Sequence, residues 1–385
     1  MVSNNSLSHF LLNFLCGRKF LLISPLYHDR INILVKAFSD SFSVAFFVFV
    51  YSRLPYIRFH CGVLELGLPS RFLISFLSLL LRPQLLILRA HWDQDFLYMI
   101  AKLNRFFYRD LFIVYDSFDF LVFSLQDKYS SRFDRLITSE LKLLAAANLI
   151  VARDLRVNIF KNSLSLRRKS ILFLPEYIIS SISTKASDSS LVPEKLPIEL
   201  VYVGNIDNDI NSNNSWHLHL SQLLNSKYIN LHVYNSFFSN HTVLLDLIAK
   251  LQLQDVLFSY PPVSPRLLSR VISKHDIGLM LTKVDNKIPH ETYTDFSYKR
   301  SLGSKVFAYI EAGLPVICET NTFTSYVIRR IRYGCSVSSL SEVPSTVFQV
   351  QANKYFINAD TIRMTYDYNS SAIREKIRSS VLPFG

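Results

Sequence analysis

Ser304 and Lys305 stand at the head of an apolar stretch in which Val306, Phe307, Ile310 and Leu314 recur at helical spacing. Backbone N–H groups at a helix start lack intrahelical acceptors, and the helix dipole adds positive potential, so an anion is favoured there. A lysine beside such an end makes a phosphate seat; the same pattern also suits an ordinary helix with a solvated lysine. Gly313 supplies a left-handed cap, Pro315 bars continuation, and Pro315–Cys318 reads as a short parallel strand. Gly204 closes the apolar run Leu200–Val203, where a missing side chain lets backbone approach a ligand. His91 closes Leu85–Ala90, at the edge where an open parallel sheet presents its site. There it could orient or deprotonate a hydroxyl, or be satisfied by backbone. Asp116 and Asp119 end the next strand, placed to bind hydroxyls or to cap the following helix. Two Asp-x-Asp triplets, Asp93–Asp95 and Asp207–Asp209, offer the hard oxygen ligands a divalent ion takes. That triplet is common by chance, and no metal is expected at either.

The elements that must position these residues alternate. Lys19–Ser24, Val44–Val50, Leu85–Ala90, Phe112–Tyr115, Leu149–Ala152 and Ile171–Leu174 read as strands. Between them Ile31–Ser39, Leu66–Leu81, Phe96–Phe107 and Phe133–Ala147 read as helices, with Leu66–Leu81 a buried one. A stretch rich in Ser, Thr, Lys and Pro, residues 180–197, reads as a linker. A second series follows, with strands at Leu200–Val203, Leu231–Tyr234, Val256–Ser259 and Ile277–Leu281. Its helices are Thr242–Leu251 and Pro265–Lys274, and Tyr366–Ser380 reads as a terminal helix. Such alternation predicts parallel sheets covered on both faces, in two doubly wound Rossmann-like α/β domains facing a cleft. The expected divisions are 1–179, the linker 180–197, 198–350, and a helical tail 351–385.

The chain has 385 residues, of which 49% are hydrophobic, enough to fill two cores. Cys16, Cys61, Cys318 and Cys335 show no paired spacing, which argues against a zinc site or disulfide framework and fits a reducing compartment. The net charge of +12 is lopsided: residues 1–175 hold 22 Lys and Arg against 12 Asp and Glu. A basic first half points to an anionic partner. The basic residues are interleaved with apolar ones and form no nucleic-acid-binding motif, so a membrane surface is expected rather than nucleic acid. No apolar run reaches the roughly 20 residues of a spanning helix. Leu7–Leu15 is too short for a secretory signal, and its positive charges follow it.

The run around Lys305 resembles the signature of family 4-type glycosyltransferases of the GT-B fold. Lys305, Tyr309, Ala312, Gly313, Pro315, Val316 and Ile317 carry the likeness. It extends loosely through LLILRAHW, IVYDSFD, AAANLIVARD, LFLPEYI and LVYVGNID, and so over most of the chain. The resemblance implies transfer of a sugar from a nucleotide-diphosphate sugar to a carbohydrate or lipid-linked acceptor. It implies bacterial surface-polysaccharide assembly, at the cytoplasmic face of a membrane. It implies no resident cofactor or metal, the nucleotide sugar being substrate.

The resemblance also implies roles. Lys305 and Ser304 would meet the leaving diphosphate, and Lys299 and Arg300 upstream would either line the same cleft or stand in a solvated loop. Gly204 and Asn205 would line the donor, and Glu311, at a small-residue position of the family, would either replace a lost ribose contact or face solvent. His290 and Glu291 fall in a loop that often meets the donor sugar. His91 would serve an acceptor hydroxyl, with Asp116 and Asp119 binding others. The last helix of such proteins often crosses back to the first domain. The chain departs from the family in two places. The two glutamates eight apart are replaced by Arg300 and Ala308, and the cations that usually follow the first strand of the donor domain are replaced by Gly204-Asn205. Two other readings follow: a non-catalytic scaffold or partner subunit of the same fold, and a nucleotide-sugar epimerase.

Overall fold

The structure is a computed structural model that describes residues 4–24, 29–60, 62–90, 93–117, 131–152, 170–175, 196–204, 206, 220–224, 228–235, 241–281, 302–303, 305–353, 361 and 364–381. The chain divides into two compact units. One comprises Met1–Glu176, Thr292–Ser297 and Asn369–Gly385; the other comprises Tyr177–Glu291 and Tyr298–Tyr368.

In the first unit the order is α1 (Asn4–Leu15), β1 (Lys19–Ser24), α2 (Asp29–Ser41), β2 (Ala45–Tyr51), β3 (Tyr56–His60), β4 (Val63–Leu68), α3 (Arg71–Leu81), β5 (Leu85–Ala90), α4 (Gln94–Phe107), β6 (Phe112–Ser117), α5 (Ser131–Ala146), β7 (Leu149–Ala152) and β8 (Ser170–Phe173). The sheet runs β3-β4-β2-β1-β5-β6-β7-β8 and is parallel except for β3, which pairs antiparallel with β4. Strands such as Lys19–Ser24 are apolar on both sides because a parallel sheet is covered on both faces. One face carries Leu21, Ile23, Phe47, Phe49, Leu86, Leu88, Ile113 and Tyr115, and buries Phe10 of α1, Ile74 of α3, Leu97 of α4 and Leu143 of α5. On the other, Phe20 meets Phe42, just past α2, edge to face at 5.4 Å.

Leu66–Leu81 is not one buried helix. Gly67 and Leu68 finish β4, and Ser70 then accepts the Phe72 N–H as N-cap of α3, while Pro69 separates the two elements. A continuous apolar run hides the break, because periodicity alone does not separate a buried strand from a helix. The hairpin β3–β4 around Gly62 is likewise absent from the sequence reading.

In the second unit the order is β9 (Ile198–Val203), α6 (Leu220–Leu224), β10 (Ile229–Tyr234), α7 (His241–Lys250), β11 (Leu257–Tyr260), α8 (Pro265–Ile272), β12 (Ile277–Met280), α9 (Lys305–Glu311), β13 (Val316–Glu319), α10 (Phe323–Arg330), β14 (Gly334–Val337) and α11 (Val343–Ala352). The sheet is β11-β10-β9-β12-β13-β14, parallel throughout. The closing helix α12 (Tyr366–Val381) buries Ile373, Ile377 and Val381. Its residues from Asn369 onward group with the first unit, where Arg378 Nε donates to the Ser41 carbonyl at 3.0 Å. No helix among the described residues is long and apolar enough to cross a membrane.

Candidate functional site

β9 is the first strand of its sheet in sequence and lies inside it, with β10 and β11 on one side and β12, β13 and β14 on the other. The winding therefore reverses beside β9, and in open α/β sheets ligands bind at the carboxyl ends of strands flanking such a reversal. Gly204 occupies that end. Its N–H extends the ladder to the Tyr234 carbonyl at 2.9 Å, and its φ of +137° is a conformation that disfavours a side chain.

The space a Cβ would take at Gly204 is filled by the Lys305 ammonium. Lys305 Nζ donates to the Tyr202 hydroxyl at 3.2 Å and lies 4.4 Å from the centroid of the same ring. A neutral hydroxyl and an aromatic face are weak substitutes for a counter-ion. Burial pulls the ammonium pKa down from 10.5 to about 8. No ion pair holds Lys305 among the described residues, and its only resolved perturbation is desolvation. An incoming oxyanion would relieve that penalty.

Tyr309, one helical turn after Lys305, fixes the helix to the sheet. Its hydroxyl donates to the Leu279 carbonyl at 2.8 Å and accepts the Val203 N–H at 3.0 Å, joining α9 to the ends of β12 and β9. Burial pushes this phenol well above its ordinary range. Gly278 in β12 makes room for the ring, because a Cβ there would lie 2.5 Å from Tyr309 Cγ. Gly303, just ahead of α9, donates its N–H to Thr324 Oγ1 of α10 at 3.2 Å. Val306, Phe307, Ile310 and Leu314 are all buried, as their spacing predicts.

Glu311 closes α9, six residues beyond Lys305 and so about 9 Å along the helix. It is half-buried and hydrogen-bonds Ser269 of α8, while burial raises its carboxyl pKa. Asp116 is fully buried and is engaged by Arg30: Nε at 2.8 Å and Nη2 at 2.6 Å. Arg30 Nη1 also donates to the Leu174 carbonyl at 2.7 Å, and Arg89 Nε stands 3.9 Å from the Asp116 carboxylate. The carboxylate thus knits α2, β5, β6 and the segment after β8.

His91, Asp119, Asn205, His290, Glu291, Lys299, Arg300 and Ser304 lie outside the described residues, as do Asp207 and Asp209. In the other triplet Asp93 pairs with Arg71 and Asp95 with Arg135, the latter at 2.6 Å. Among the described residues no group of three or more His, Cys, Asp or Glu is arranged to hold a metal.

Two tyrosines that organise the site, Tyr202 and Tyr309, do not stand out in the sequence. Tyr309 enters only within the resemblance, and the sole local signal for Tyr202 is an aromatic next to a strand-end glycine. A further polar cluster also escapes sequence reasoning. His232 meets Glu199 through Nε2 and the Tyr260 hydroxyl through Nδ1 at 3.0 Å, and Tyr234 reaches His275 at 3.2 Å. Desolvation lowers the His232 pKa despite Glu199.

No protein-family model matches the chain, and no curated protein matches it. Solved structures do. Sucrose-phosphate synthase from Thermosynechococcus elongatus superposes with a TM-score of 0.67 at 11% identity, over 94% of this chain and 98% of that one. WaaG, a glycosyltransferase involved in lipopolysaccharide biosynthesis, gives 0.56 at 12% identity over 94% and 99%. The S. aureus MnaA co-structure with UDP gives 0.52 at 12% identity over 95% and 96%. At such identities the likeness shows the fold, and the fold is GT-B: two parallel-sheet α/β domains.

Proposed function

We propose that this chain is a glycosyltransferase that moves a sugar from a nucleotide-diphosphate donor to a carbohydrate or lipid-linked acceptor, in bacterial surface-polysaccharide assembly at the cytoplasmic face of the membrane. The observation that carries the reading is Lys305: a half-buried ammonium with no ion pair among the described residues, pressed against Gly204 at the strand end beside the winding reversal. Glycosyl transfer requires the leaving diphosphate to be neutralised as its bond to the sugar breaks. In this reading Lys305 does so by charge-assisted hydrogen bonds to a phosphate oxygen, Gly204 and Asn205 let the backbone approach, and Ser304, Lys299 and Arg300 complete the anion seat. His290 and Glu291 contact the donor sugar. Glu311, tied to Ser269, supports α9 from its far end. His91 orients or deprotonates the acceptor hydroxyl, Asp119 binds acceptor hydroxyls, and Asp116 holds the strand end that presents them. No resident cofactor enters this scheme. The UDP bound to S. aureus MnaA and the likeness to WaaG, a glycosyltransferase, support the donor class.

A screen of UDP, GDP, CDP, ADP and CMP by thermal shift tests the donor site, with Lys305→Ala alongside. One nucleotide should raise the midpoint of the wild-type protein by mass action. The variant should bind it about 10- to 100-fold more weakly, the cost of a charged hydrogen bond. No shift with any nucleotide would favour the second reading, a non-catalytic scaffold. That reading has its own support: Ala308 packs with the core at the position where the family resemblance implies an acid, so the donor contact such an acid would make is missing.

A further inference from the structure

Helix α3 packs Leu73, Ile74, Leu77 and Leu81 against the core, but it also buries two serines and leaves two phenylalanines and a leucine outside. Its sequence, RFLISFLSLLL, offers abundant apolar side chains, yet a serine meets α4 through a hydrogen bond. Ser78 is fully buried and Ser75 nearly so. Ser75 Oγ donates to the Arg71 carbonyl at 2.9 Å, Ser78 Oγ to the Ser75 carbonyl at 2.7 Å, and buried Asn104 of α4 donates to Ser78 Oγ at 3.0 Å. Outward, at i, i+4 and i+8, stand Phe72, Phe76 and Leu80, with 79%, 49% and 61% of their surface exposed. Helices of water-facing domains place these classes the other way round.

The neighbours on the same sheet face extend the pattern. α4 exposes Met99, Phe106 and Phe107, and α1 exposes Leu12 and Leu15. Neither 4–18 nor 71–82 contains an acidic residue, and α3 is bracketed by Arg71 and Arg82. Arg71 is paired with Asp93, whereas Lys102, Arg105 and Arg109 add positive charge along and beyond α4.

We infer that this face is a docking surface for an anionic lipid bilayer, with Phe72, Phe76 and Leu80 entering the boundary between headgroups and acyl chains. Charge complementarity selects the occupant: aromatic and aliphatic side chains among cations, with α1 and α3 free of acidic residues and Asp95 of α4 paired with Arg135, match an apolar interior beneath a negative surface. The inference deepens the membrane setting proposed above and rests on it for location alone, since the face is built without any residue of the nucleotide site.

The test is co-sedimentation of the full chain with phosphatidylcholine vesicles, with and without phosphatidylglycerol, against the variant Phe72→Ser/Phe76→Ser/Leu80→Ser. The wild type should pellet with the anionic vesicles and less with the neutral ones, and salt should weaken the binding. The triple variant should partition more than about tenfold more weakly. Its melting midpoint and nucleotide response should be unchanged, so a failed membrane surface is distinguishable from a failed donor site. Should the triple variant not fold, Phe72→Trp replaces it, because the added indole emission should be quenched by brominated acyl chains. Equal pelleting of wild type and triple variant, no wild-type binding to anionic vesicles, or unquenched added emission in the Phe72→Trp variant would each overturn the inference. So would light scattering showing a wild-type dimer that the triple variant splits, which would give the face to a second copy of the chain.

Discussion

Lys305 holds a charge where its surroundings penalise one, and that fixes two opposite pH dependences. Its pKa is lowered from 10.5 to about 8 by burial, so below about 8 the folded protein carries a desolvated cation. This unfavourable contribution to stability is full below about 8 and fades as pH rises from about 8 towards 10.5, where the unfolded chain still binds the proton. Nucleotide binding should run the other way. A diphosphate needs the ammonium, so affinity should fall as pH climbs through about 8, and binding above that point should take up a proton. Calorimetric titration in buffers of different ionisation enthalpy reads the uptake directly; affinity independent of pH across this pKa would remove Lys305 from the site. Lys305 and Gly204 are legible in the sequence because helix starts and strand-end glycines leave local marks. Tyr202 is not, because its role comes from a lysine 103 residues away in sequence.

At the scale of elements, α9 is placed by one hydroxyl. Tyr309 joins it to β9 and β12, and Gly278 is the notch that admits the ring. Tyr309→Phe should lower stability by about 1–3 kcal/mol in urea unfolding, since a buried donor and acceptor lose their partner. Because that hydroxyl faces the sheet, nucleotide affinity should change less than it does in Lys305→Ala. Most elements are legible from alternation: the strand Lys19–Ser24 and the strand Leu149–Ala152 fall where their apolar runs end. What escapes is the set of contacts that periodicity does not encode. Leu66–Leu81 reads as continuous until the Ser70 cap is seen, and the exposed Phe72 and Phe76 of α3 run against the assumption that phenylalanine points inward. The helix Phe323–Arg330 and strand Gly334–Val337, both short, carry too little pattern to be read.

For the whole molecule, each unit has its own core and its own sheet. Unfolding should therefore depart from a single two-state transition. Scanning calorimetry should give a calorimetric enthalpy larger than the van't Hoff value, and nucleotide should raise only the part of the transition that belongs to the second unit. One cooperative peak displaced as a whole would show that the two cores melt together. Two doubly wound units are legible from the alternation of strand-like and helix-like runs. The return of the last helix is not a property of the local sequence, and enters only through the family resemblance.

That return sets an order of events at the ribosome. The first unit's strands are synthesised early, but residues from Asn369 onward, including the Arg378 that holds the end of α2, are made after the entire second unit. A nascent chain can therefore complete the nucleotide half while the first half still lacks a covering helix and keeps apolar surface open to chaperones. The protein is made from its beginning but closed from its end.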